Sequence, residues 1–114
     1  MLDVTPLQTA VDALADRLRS LPQSTLARGA AAEGLALARE LALRAQRIER
    51  PGRQPYELPD AGMFAAGDQL AVAGHDLVEA LRNVAIAPTD DVKVAPAEEL
   101  AEAVGLVRAA AGRC

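Results

Sequence analysis

Two groups of side chains in this sequence could do chemistry. His75, the only histidine, stands seven residues after Asp68 and four before Glu79. A helix puts all three on one side, where an imidazole and two carboxylates could hold a divalent cation. Glu98-Glu99-Leu100-Ala101-Glu102 gathers three carboxylates within about one turn, and Asp76 with Glu79 supplies a second acidic pair upstream. Such sets on neighbouring helices could hold magnesium and a nucleotide. Cys114 is the only thiol, so neither an intrachain disulfide nor a cysteine metal cluster can form within these residues.

Each group also has a plainer reading. A lone histidine in a helical bundle resembles that of histidine phosphotransfer domains, which carry His-x-x-Lys-Gly. The run here is His75-Asp76-Leu77-Val78-Glu79, and a boundary histidine paired with Glu79 one turn on is expected instead. The Glu98 cluster matches the Glu-Glu-x-x-Glu half of the all-helical nucleotide pyrophosphatases. The Glu-x-x-Asp half that should follow on a later helix is missing, and Asp76-x-x-Glu79 lies upstream in reversed order. Acidic residues in a first helical turn are ordinary dipole chemistry, and metal sites in bundles draw ligands from several helices. No Gly-x-Ser-x-Gly occurs, and Gly29-Ala-Ala-Ala-Glu-Gly34 lacks the lysine of a phosphate loop. We expect no catalytic residue, no metal and no cofactor. A small metal- or nucleotide-dependent helical enzyme, using Asp76, Glu79 and Glu98 to Glu102, is the second reading.

The elements that position these residues follow from composition and periodicity. At 114 residues the chain suits one domain, 1–114, with a single core. About half of it is hydrophobic, but the only aromatic residues are Tyr56 and Phe64, and alanine and leucine dominate. So small-sided a core requires close helix approach or a shared surface, which predicts a homodimer. The net charge of −4 argues against nucleic acid as partner. Eleven of the twelve basic residues are arginine, the bias of a GC-rich bacterial genome. No stretch has the apolar length of a membrane span or the layout of a signal peptide, so a cytoplasmic protein is expected.

Leu7, Val11, Leu14, Leu18 and Leu21 recur at steps of four and three, predicting a helix over about 5–21 with a Thr5/Gln8 capping box. A second, over about 24–50, is capped by Ser24 and stopped by Pro51-Gly52. It buries Leu26, Ala30, Gly34, Leu37, Leu41, Ala45 and Ile48, and carries Arg39, Arg44, Arg47 and Arg50 along one side. A third, over about 60–86, starts from Asp60, with a seam of Met63, Gly67, Leu70, Gly74, Leu77, Leu81 and Val84. Its two glycines should admit the alanine face of the second helix. Residues 87 to 95 form a loop, and a fourth helix over about 96–112 buries Leu100, Val104, Val107 and Ala111. The expected fold is all-α: an antiparallel four-helix bundle around a long central hairpin. In outline that hairpin resembles small helical secretion substrates, although their Trp-x-Gly turn has no counterpart in Pro51-Gly52-Arg53-Gln54-Pro55-Tyr56.

At 1.5 Å per residue the central helices reach roughly 40 Å and the outer two about 24 Å. If both short helices pack at one end, the other end projects as an arm tipped by residues 51–59. Leu41, Leu43, Ile48, Leu58, Met63 and Phe64 would be partly uncovered there, beside Arg44, Arg47 and Tyr56, and such patches mark interaction surfaces. The sequence therefore predicts a non-enzymatic protein-interaction or regulatory module, homodimeric through that arm.

Overall fold

The computed structural model describes residues 2–86 and 95–114, whose regular elements are all helical. Helix α1 is Thr5–Ser20. Helix α2 joins Gln23–Thr25, a widened turn at Leu26–Ala30 and Ala31–Glu49. Helix α3 joins a 3-10 turn, Met63–Ala65, to Ala66–Ile86, and α4 is Pro96–Arg113. The all-α four-helix bundle with two long elements, of 27 and 24 residues, is the one that periodicity predicts. Of the expected 87–95 loop, residues 87–94 lie outside the described residues.

The predicted stripes form the core. Leu7, Val11, Leu14 and Leu18 of α1, Leu37, Leu41, Ala45 and Ile48 of α2, Leu70, Leu77, Leu81 and Val84 of α3, and Val104 and Val107 of α4 are all buried. Leu21, Met63, Leu100 and Ala111 pack at its edge.

Helix starts differ from the capping expectations. The N-cap position of α1 is Val4, not Thr5, and makes no side-chain cap bond; Asp3, one residue earlier, caps from outside by accepting the Thr5 N–H at Oδ1, 3.0 Å, while the Gln8 N–H goes to the Val4 carbonyl. These bonds from Thr5 hold the Asp3 carboxyl below its ordinary value of 3.8. A lowered folded value means that the cap contributes above the unfolded value and is lost as pH falls through the folded one. The Thr5 amide signal in an NMR titration should therefore move with a midpoint under 3.8, and Asp3→Asn should abolish that step. Ser24 caps nothing, since α2 begins directly after the extended Pro22. Gly29 is not regular helix but a kink with φ +142°, a value that glycine tolerates. Asp60 accepts the Gly62 N–H at 2.8 Å, and the helix starts only at Met63.

The larger correction concerns direction. A Cβ on Gly34, early in α2, would lie 3.5 Å from the Cβ of Ala66, early in α3. Further along, Ala42, Ala45 and Glu49 border the same cleft as Gln69, Ala73 and Asp76. The two long helices thus run parallel, and residues 50–62 return along α2 as a crossover strap. Thirteen residues reach about 43 Å when extended, ample for the roughly 28 Å of Ala31–Glu49. Helix α1 runs antiparallel to α3, with Ala15 and Arg19 beside Gly67 and Val11 beside Gly74. Helix α4 runs antiparallel to α2, with Glu99 near Arg44 and Arg113 near Glu33. The α3 glycines therefore admit α1, not the alanine face of α2. No two-helix arm projects, because the strap, α1 and α4 cover the central pair.

Candidate functional site

The strap is held by side chains reaching its backbone. Arg50-Pro51-Gly52-Arg53 closes a turn through the Arg53 N–H to the Arg50 carbonyl, 3.2 Å, with Gly52 at φ +85°. Proline followed by a positive-φ glycine is the type II pattern. The Gln46 carboxamide then grips Tyr56 on both sides, donating from Nε2 to its carbonyl and accepting its N–H at Oε1, each at 3.0 Å. Two turns back, Arg39 Nε donates to the Leu58 carbonyl at 2.8 Å and meets Glu57 at 3.0 Å. Gln69 Nε2 reaches the Pro59 carbonyl at 2.8 Å. A segment without a sheet neighbour thereby pairs the Tyr56 N–H and the carbonyls of Tyr56, Leu58 and Pro59 with side chains of α2 and α3.

Between strap, α2 and α3 lies a cleft of about 290 Å³. Ala42, Ala45, Ala73 and Val72 give it an apolar floor, Tyr56 and Leu58 form one wall, and Glu49, Arg50, Asp68 and Asp76 stand around it. Tyr56 is 65 % exposed, Val72 62 % and, one turn before Asp68, Phe64 is 70 % exposed. These are three of the four large exposed hydrophobic side chains among the described residues; Ile86 is the fourth. A larger groove of about 560 Å³ between α1 and α4 is bordered by none of them.

The residues predicted for the arm separate into three groups. Leu41 and Ile48 are core, so substitutions there report on folding. Leu43, Leu58 and Met63 are half-buried, while Arg47, Tyr56 and Phe64 face solvent. Arg44 is internal: Nε donates to Glu40 at 2.9 Å, Nη1 to Glu99 at 2.7 Å, and Glu102 lies at 3.7 Å. Burial pulls its pKa down, but the hydrogen bonds it donates to Glu99 and Glu40 outweigh that and leave it raised. Periodicity missed Val72 as an exposed residue, because in sequence it reads as ordinary helix filler; Ala42 and Ala73 border the cleft but are themselves buried.

The chemical candidates disperse. Asp68 accepts from Arg19 at 2.8 Å, a bond that raises the arginine pKa. His75 pairs with Asp12 of α1 at 2.8 Å, not with Glu79, which pairs with Arg82. With α1 packed on α3, Asp12 is the carboxylate within reach of the imidazole. Glu99 and Glu102 turn to Arg44, so the acidic halves of α3 and α4 do not converge on a common site. Among the described residues, no group of three or more His, Cys, Asp or Glu side chains is placed to hold a metal. Ion pairs link α2 to α4 and to the strap, and α3 to α1. Cys114 is half-buried; burial first, then Glu33, pushes its thiol pKa up.

The class defined by this geometry is an all-helical bundle with a parallel central pair and a crossover strap. The chain matches no family model, no curated protein and no solved structure. Among the described residues no helix is long and apolar enough to cross a membrane.

Proposed function

We propose that this chain is a non-enzymatic protein-interaction or regulatory module whose contact surface is the strap side of α3. The reading rests on one observation: Tyr56 and Val72 line an apolar cleft while standing largely exposed, and Phe64, one turn before the cleft residue Asp68, is exposed as well. Isolated surface hydrophobics are ordinary, whereas two on the rim of one concave apolar cleft, with a third exposed close by along α3, fit an interface. The uncovered arm that motivated a homodimer is gone. The small-sided core still favours a shared surface, so a second copy of the chain is among the partners to test.

Sedimentation equilibrium tests the reading on the full chain, alone and mixed with the products of neighbouring genes. The Tyr56→Ser, Phe64→Ser double variant is expected to weaken the association at least tenfold while melting within a few degrees of the parent, since both side chains are exposed. Association unchanged in the double variant would assign the contact to another surface.

A further inference from the structure

Resting on that reading, we infer that the occupant of the strap-side cleft is a basic amphipathic segment of another protein, not a second copy of this chain. The apolar surface calls for an apolar stripe on the occupant, and its charge pattern selects the rest.

Phe64, Asp68, Val72 and Asp76 follow one another at four-residue steps, all exposed, the last three bordering the cleft. Apolar and acidic side chains therefore alternate along this side of α3. A two-fold axis through Asp68 sets Asp68 against its own copy. An axis through Val72 sets Asp68 against Asp76. An axis midway between them sets each carboxylate against Phe64 or Val72. Parallel pairing in register opposes each acid to itself. Each of these in-line pairings of the stripe sets a carboxylate against a carboxylate or against hydrocarbon, and both are unfavourable.

Against a basic partner the same alternation is complementary. Glu49, Asp68 and Asp76 border the cleft against one cation, Arg50. Asp68 already has Arg19, but Glu49 and Asp76 have no ion-pair partner among the described residues. A helix with leucine-like side chains on one stripe and lysine or arginine beside it would set apolar groups on Val72 and the alanine floor. Its cations would meet Asp76 and Glu49, and the exposed Tyr56 ring offers a face to one of them.

Two synthetic helical peptides of equal length, one of leucine and lysine and one of leucine and glutamate, serve as probes for calorimetric titration against the full chain. The lysine peptide is expected to bind, with affinity falling as salt rises, and the glutamate peptide to bind at least tenfold more weakly. Val72→Ser and Asp76→Lys should each weaken the lysine peptide at least tenfold. Glu98→Lys, the same charge change on exposed α4 surface, should alter it less than twofold.

Equal binding of both peptides, or an equal effect of Glu98→Lys and Asp76→Lys, overturns the inference, because either marks attraction without a site. Absence of binding by the lysine peptide overturns it as well. A homodimer in sedimentation that Val72→Ser dissociates overturns it while upholding the interaction surface. Self-association insensitive to Val72, Tyr56 and Phe64, together with no peptide binding, removes both.

Discussion

Gly74→Ala is expected to destabilise the protein by about 1 kcal/mol net, although it replaces a mid-helix glycine with the best helix former. Propensity alone favours alanine by about 1 kcal/mol. The opposing effect is steric. A Cβ on Gly74 would meet both γ-methyls of Val11, Cγ2 at 2.8 Å, and the Val11 Cβ at 3.1 Å. Valine in a helix has essentially one χ1 rotamer, so the methyls cannot swing aside and α1 itself must move. Overpacking of this kind costs about 1–3 kcal/mol, and here it displaces a helix whose stripe is core throughout.

Gly67→Ala meets the Ala15 carbonyl oxygen at 2.9 Å and should behave similarly. Gly34→Ala meets the end of the Leu18 side chain, at 2.8 Å, and should be milder because that end can rotate. Gly105→Ala on α4, with nothing within 4 Å of the added carbon, isolates the propensity gain and should raise stability by up to about 1 kcal/mol. Thermal denaturation checks the series, at about 4 °C per kcal/mol for a domain of this size. The diagnostic measurement is the double variant Val11→Ala, Gly74→Ala, which should be less destabilised than the sum of its singles by about 1 kcal/mol or more. Strict additivity would show that α1 and α3 do not meet at this point.

The glycines also show what was legible in the sequence. Periodicity marks which side of a helix is buried, and it placed Gly67 and Gly74 on the seam of α3 correctly. It does not say which neighbour that seam meets, since any small-sided helix, the alanine face of α2 included, satisfies the same pattern. The direction of α3 was hidden for a related reason. Pro51-Gly52 ends α2 equally well before a hairpin and before a crossover, and the residues that follow have the same composition in either case. The distinguishing contacts are the grip of Gln46 on Tyr56 and of Arg39 on Leu58, both to backbone atoms. Hydrogen bonds to a main chain leave no trace in side-chain identity.

The site inherits that difference. Tyr56 and Phe64 were visible as the chain's only aromatic residues and are exposed, as an interface needs. The alanines under the cleft are buried, as Ala45 is by periodicity, but the cleft above them was not visible, because it depends on where the strap runs. Leu41 and Ile48 passed from surface to core once α1, α4 and the strap were seen to cover the central pair.

Arg44→Ala is expected to cost about 2 kcal/mol, far more than loss of an ordinary surface ion pair. Exposed pairs contribute about 0–1 kcal/mol, and breaking a fully buried one costs about 3–5 kcal/mol. Arg44 and Glu99 lie between these limits, with side chains 19 % and 21 % exposed. Removing the guanidinium would leave Glu99 half-buried beside Glu40 and Glu102 with no compensating cation. Arg44→Lys should recover less than half of the loss, because Nε serves Glu40 while Nη1 serves Glu99 and a single ammonium cannot reproduce that fork. Arg113→Ala, at the opposite end of the α2–α4 contact, makes the comparison: its pair with Glu33 is more exposed and should contribute under about 1 kcal/mol. Urea denaturation of the three variants checks the order, and an Arg44→Ala effect no larger than that of Arg113→Ala would place Arg44 in solvent. Replacing Arg44 and Glu99 together, by methionine and leucine, should restore much of the loss, since a packed apolar pair removes the stranded charge. That rescue would show that the loss comes from the Glu99 carboxylate stranded between α2 and α4, and would make any binding defect of an Arg44→Ala variant a consequence of a loosened bundle.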